Sequence, residues 1–234
     1  MNKPVELLCA HSILVCAACI ALGIFLIAGW LPAVSPTMGG EALVSMFEEN
    51  RLRIMIGATV AGFGSMFYWS FAGAIATQMR RIEGEHHPLT RIQLLASNGT
   101  ALALMFLAFL LLAMAFRPGV EASALQLMND YFWLVFVGLY PPGVMQNTAI
   151  GICILSDKKS DKDKTKVYPR WVGYANFWVA VLFIPGIYIA FLRDGPFAWD
   201  GLFGLWIVAG AFFFWVVVMW RQTIRAIRLA DVSE

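Results

Sequence analysis

An all-α, polytopic membrane protein with six transmembrane helices in one bundle is the fold class this sequence predicts. Three observations carry that expectation. Of the 234 residues, 60% are hydrophobic and 14% charged, whereas a soluble domain averages about 45–50% apolar and about 25% charged. The apolar residues gather into six runs, at about 7–31, 54–79, 92–116, 131–155, 171–192 and 201–220. No run carries Asp, Glu, Lys or Arg in its core, and a helix needs about 20 such residues, at ~1.5 Å rise each, to cross a bilayer. No Gly/Ser linker or low-complexity tract divides the chain, so residues 1–234 read as a single integral membrane domain.

The first run is too long for the ~7–15-residue core of a secretory signal, and is read as an uncleaved first helix. Cys16-Ala17-Ala18-Cys19 inside it has the form C-x-x-C, but thiols in a membrane helix usually pack as small apolar groups. The stretch from Pro32 to Asn50 reads as a loop carrying a short amphipathic helix at the interface, with Leu43, Met46 and Phe47 on one side. The second run is rich in small residues, and its Gly57/Ala61 and Ala58/Gly62 pairs predict close helix approach, within the bundle or to a neighbouring subunit.

Charge sets the orientation. With the N-terminus in the cytoplasm, thirteen of the seventeen Lys and Arg fall on the cytoplasmic side, as the positive-inside rule requires. Only Arg51, Arg53, Arg117 and Arg193 remain outside. Both termini are therefore expected in the cytoplasm, and the alternating Lys and Asp of residues 157–170 are expected to form a solvated cytoplasmic turn. Phe197, Trp199 and Trp206 read as aromatic anchors at the outer interface. The third run follows Arg91 and holds Asn98; the fifth follows Arg170 and holds Asn176. This suggests a duplicated helical hairpin, with a spacing that differs by one residue.

The fourth run holds the candidate site. Pro141 and Pro142 fall about ten residues in, near the midplane, and remove the donors that would bond the carbonyls of Val137 and Gly138. Gln146 and Asn147 follow one turn later. Tyr140, Gly143 and Asn147 stand at i, i+3 and i+7, one face of a helix. Asn98, Tyr68, Tyr174 and Asn176 are their candidate partners from the neighbouring runs, with Thr100 and Ser70 nearby. Broken helices with polar groups at mid-depth are how membrane proteins build sites. The alternative is that these groups bond one another and only fix packing, at about 0.6 kcal/mol each.

Other chemistry is weakly signalled. His86 and His87 lie in a basic turn with Glu83 and Glu85, and His11 stands one turn into the first run. These are metal-ligand types, but their spacing matches no metal motif. No metal, cofactor or catalytic set is expected, and no phosphate loop, nucleophile elbow or nucleic-acid patch is present. The absence of mid-membrane charge excludes proton-coupled pumps, cation channels and voltage sensors.

Tyr168-Pro169-Arg170-Trp171-Val172-Gly173-Tyr174-Ala175-Asn176, Gly195-Pro196-Phe197-Ala198-Trp199 and the earlier Gln78-Met79-Arg80-Arg81-Ile82-Glu83-Gly84 resemble segments of uncharacterised bacterial multi-span inner-membrane proteins. That resemblance implies a bacterial inner-membrane location and brings no known activity, so no functional residue is carried over from it. Three functions follow as expectations. The first is binding or translocation of a neutral, largely apolar molecule such as a lipid, isoprenoid, sterol or aromatic compound. The second is a non-catalytic subunit, as a homo-oligomer or with another membrane subunit. The least supported is an intramembrane enzyme using His11, His86 or His87 with Glu83 or Glu85. Membrane lipid is the expected surrounding partner.

Overall fold

A computed structural model describes residues 3–163 and 165–230. Among them every regular element is helical. In chain order these are α1 (Lys3–Ile20), a π-helical turn (Ala21–Ile27), α2 (Gly40–Ser65), α3 (Phe67–Glu83), α4 (Pro88–Phe116), α5 (Ala122–Gly138) and α6 (Tyr140–Ser156). Then follow α7 (Arg170–Phe183), a 3-10 segment (Ile184–Ala190), a second π-helical turn (Leu202–Trp206) and α8 (Ile207–Leu229). Among the described residues five helical segments are long and apolar enough to cross a membrane: Lys3–Ile27, Gly40–Glu83, Pro88–Phe116, Arg170–Ala190 and Leu202–Leu229. The fourth apolar run is instead divided between α5 and α6, each of 17 residues, with the break at Leu139.

The surface is that of a membrane protein. Leu8, Leu95, Phe109, Trp178 and Phe191 are all more than half exposed, whereas a soluble monomer seldom leaves broad apolar patches uncovered.

At the basic end of the bundle α3 is the central post, in contact with α1, α4, α6 and α8. It buries Tyr68, Phe71, Ile75, Gln78 and Met79 on several sides. Gln78 is wholly buried and is held at both ends of its amide. Its Nε2 donates to Glu6 on α1 at 2.8 Å, and its Oε1 accepts from Arg81, which also donates to the Ala226 carbonyl on α8 at 2.9 Å. Three helices are thus tied by one partly buried polar chain centred on Gln78.

Glycine ends α3: Gly84 takes φ +75° while its N–H bonds Arg80 O, a conformation open to a residue without Cβ. Pro88 then starts α4, where its missing N–H costs nothing. Glu83 accepts the backbone N–H groups of Leu89 and Thr90 at 3.0 and 2.7 Å. It thereby satisfies donors that a helix start leaves open.

Three expectations need correction. Gly40–Asn50 is the first part of α2 and not a separate interfacial helix: Leu43 and Phe47 are buried, at 1% and 4% exposed, and α2 packs on α5. Trp199 is not an interfacial anchor. It is buried, donates to Val34 O at 2.8 Å and stacks on Trp133, whose ring also stacks on Trp30. Nor is the 157–170 turn wholly solvated: Lys166 is 1% exposed, pairs with Asp161 at 3.0 Å and donates to Lys159 O.

The small-residue face of α2 is used within the bundle. A Cβ at Gly57 would overlap the Gly23 carbonyl of the first π turn, and one at Gly64 would overlap Cys19. Gly62 faces Ala108 of α4.

Candidate functional site

The two prolines of the fourth run stand in the first turn of α6, and the helix breaks just before them, at Leu139 (φ −72°, ψ 28°). Two other elements bear on the break. Gly186 of the 3-10 segment comes so close to the freed Val137 carbonyl that a Cβ there would lie 3.0 Å from it. Gly99 of α4 faces Pro142. The 3-10 segment has its own cause, since Pro185 cannot donate to the carbonyl one turn back.

Beside the break lies a cavity of about 120 Å³, where a single buried water needs only about 10–15 Å³. Its walls come from every apolar run: Ile20 and Phe25, Tyr68, Thr100 and Leu104, Phe136 to Asn147, Phe183, and Leu205 to Trp215. Among the described residues no Asp, Glu, Lys, Arg or His lines it. It is not sealed: Phe213 in its wall is 36% exposed, and Tyr140, Gly143 and Ala209 are half-buried.

Five of the six apolar runs change helical geometry at this level. The first π turn starts beside Ile20, the α2–α3 junction precedes Tyr68, and α5 gives way to α6 at Leu139. The 3-10 segment begins after Phe183, and the second π turn contains Leu205. Only α4 passes unbroken. Irregular backbone at membrane depth is tolerated where it is buried in protein or lines a cavity, and π turns within helices recur at functional sites.

Five of the eight residues singled out in the sequence line this cavity: Tyr68, Tyr140, Gly143, Gln146 and Asn147. Gly143 is needed for space, since a Cβ would stand 2.8 Å from two carbons of the Phe183 ring. Gln146 and Asn147 are buried, at 1% and 2% exposed. The Tyr68 hydroxyl donates to Gln146 Oε1 at 2.9 Å, and Asn147 Nδ2 donates to the Gly143 carbonyl at 2.8 Å. Gln146 Nε2 and Asn147 Oδ1 have no hydrogen-bond partner among the described residues.

The other three lie elsewhere. Asn98 faces outward on α4 and accepts from Trp69 Nε1 at 2.9 Å. Tyr174 is 52% exposed on α7. Asn176 is buried behind the cavity wall: it accepts from Trp215 Nε1 at 3.0 Å and donates to Val172 O at 2.8 Å. It therefore fixes the Trp215 ring, which lines the cavity and stacks on Tyr68 at 6.3 Å. The two asparagines of the suggested repeat thus occupy opposite environments, one outward and one buried.

The aromatic wall of Phe183, Phe212, Phe213 and Trp215 carried no mark in the sequence beyond apolarity. The spacing of Val208, Phe212 and Trp215 at i, i+4 and i+7 was the available signal.

The weak metal candidates are scattered in their bonding. Glu83 caps α4, His87 Nδ1 lies 2.8 Å from Glu85 O, His86 is exposed, and His11 accepts from Trp220 Nε1 at 3.2 Å. Among the described residues no three His, Cys, Asp or Glu come together to hold a metal ion.

No family model, curated protein or solved structure matches this chain.

Proposed function

We propose that this is a six-span protein of the bacterial inner membrane, both termini cytoplasmic, which binds or translocates a neutral, largely apolar small molecule at its broken fourth span. The observation that carries this reading is the cavity: among the described residues it has apolar walls, no charged lining side chain, and two buried amides with unused hydrogen-bonding atoms. Ligand pockets are commonly of this kind, mostly hydrophobic and aromatic with a few placed polar groups. The contacts of α4 with both α5 and α6 support counting those two helices as one broken span.

The test is occupancy. Purified protein in nanodiscs is titrated with the neutral fluorophore 1-aminoanthracene, beside a variant in which Ala209→Phe fills the cavity. Saturable binding that weakens at least about tenfold in the variant, with folded yield retained, supports the reading; a tenfold loss corresponds to about 1.4 kcal/mol. Equal binding by both proteins, or none by either, sinks it.

A second reading, as a subunit of a membrane assembly, is favoured by one feature. Trp171, Tyr174 and Trp178 stand at i, i+3 and i+7 on the outer face of α7, at 48%, 52% and 67% exposed, and aromatics are enriched at protein interfaces. Mass determination after extraction in mild detergent decides it, a lone monomer counting against a stable assembly.

A further inference from the structure

The two amides in the cavity do more than mark it as polar. Each is oriented by a single bond that leaves its opposite atom unused. Gln146 receives the Tyr68 O–H on Oε1, which leaves Nε2 as a donor. Asn147 spends Nδ2 on the Gly143 carbonyl, which leaves Oδ1 as an acceptor. A buried polar atom left unpaired is costly, so each of these atoms favours a partner. Here one donor and one acceptor stand on consecutive residues that line the same cavity.

From this pair we infer that the cavity selects an apolar molecule ending in a hydroxyl group, with Gln146 donating to its oxygen and Asn147 accepting its proton. This rests on the cavity reading above and names its ligand class. A hydroxyl both accepts and donates, so one group can meet the Gln146 donor and the Asn147 acceptor at once. A ketone or quinone carbonyl only accepts and leaves Asn147 Oδ1 bare. A carboxylic acid is ionised at neutral pH, and no cation among the described residues lines the cavity to pair with it. A primary amide brings more polar atoms than the two unused here. The hydrocarbon part of the ligand lies against Phe183, Phe212 and Phe213, where the wall is partly open.

The experiment displaces 1-aminoanthracene from wild-type protein in nanodiscs with 1-octanol, 2-octanone and octane, each counted as mole fraction in the bilayer. Octanol is expected to displace at a roughly tenfold lower mole fraction than octanone, the scale of one recovered hydrogen bond. Octane is expected to be weakest. In Asn147→Leu the advantage of octanol over octanone should shrink to within about twofold, since only octanol uses the lost acceptor. Equal displacement by octanol and octanone in the wild type overturns the inference and leaves the cavity reading standing. Failure of all three to displace the fluorophore overturns both. The wild-type comparison decides the matter even if the variant does not fold.

Discussion

Gly57 has no room for a side chain, because the Gly23 carbonyl occupies the position its Cβ would take. Gly73, on α3, has nothing within 4 Å of that position. The two are predicted to answer oppositely to substitution. Gly57→Val should lower the thermal unfolding midpoint in detergent sharply, at a cost of roughly 1–3 kcal/mol. Gly73→Ala should leave it unchanged or raise it, by up to about 1 kcal/mol. Similar midpoints for the two variants would contradict the close approach of α2 to the first π turn. Asn98 and Asn176 show what single residues reveal in a sequence. An amide inside an apolar run is conspicuous, because hydrocarbon offers it no partner. Which way it points depends on helices far away in the chain. Asn176 met Trp215 and became buried, whereas Asn98 met Trp69 on the outer face. Tyr174 failed as a cavity residue for the same reason.

The break between α5 and α6 belongs to the scale of elements. Its place was legible, since two adjacent prolines withdraw two donors from a helix. Replacing Pro141 and Pro142 together by Ala should let α5 continue into α6, raising thermal stability while weakening probe binding, because the cavity wall straightens. Unaltered binding in that double variant would separate the site from the break. The π turns were not legible, as Ala21–Ile27 and Leu202–Trp206 have the same apolar composition as the α-helices they interrupt. The start of α2 was misread because Glu48, Glu49, Asn50 and Arg51 look like loop residues. They remain helical because the turns around Leu43 and Phe47 pack inward and leave Glu48 and Glu49 outside. The 157–170 turn gives a prediction in pH. The bond from Lys166, then that from the Arg170 N–H, holds the Asp161 carboxyl below its usual value of 3.8. The backbone and hydroxyl of Thr165 do the same for Asp163. A depressed carboxylate contributes its stability above the unfolded value and loses it as pH falls through the folded one. Amide exchange in this turn, corrected for intrinsic rate, should therefore stay slow from neutrality to about pH 4 and quicken below. Asp161→Asn should quicken it at neutral pH.

For the molecule as a whole, the class was legible because a bilayer demands long apolar runs and leaves little choice of secondary structure. The arrangement was not, because apolar faces are alike and helix partners are chosen by shape. Orientation is tested by labelling. A membrane-impermeant thiol reagent applied to intact cells should modify Ser123→Cys and spare Ser160→Cys until the cells are opened; the reverse pattern would invert the proposed topology. The π turns have a consequence for how the chain tolerates changes of length. Such a turn holds one residue more than an α-helix would use, so it is a store of slack. Deleting one residue from 21–27 or 202–206 can be absorbed by tightening the turn to α, with both flanks kept in register. Unbroken α4 has no such reserve, and a deletion there turns one flank by ~100° relative to the other. A deletion scan read by folded yield should therefore find two tolerant windows bordering the cavity and none along α4. The protein would be most forgiving in length where it is most demanding in shape.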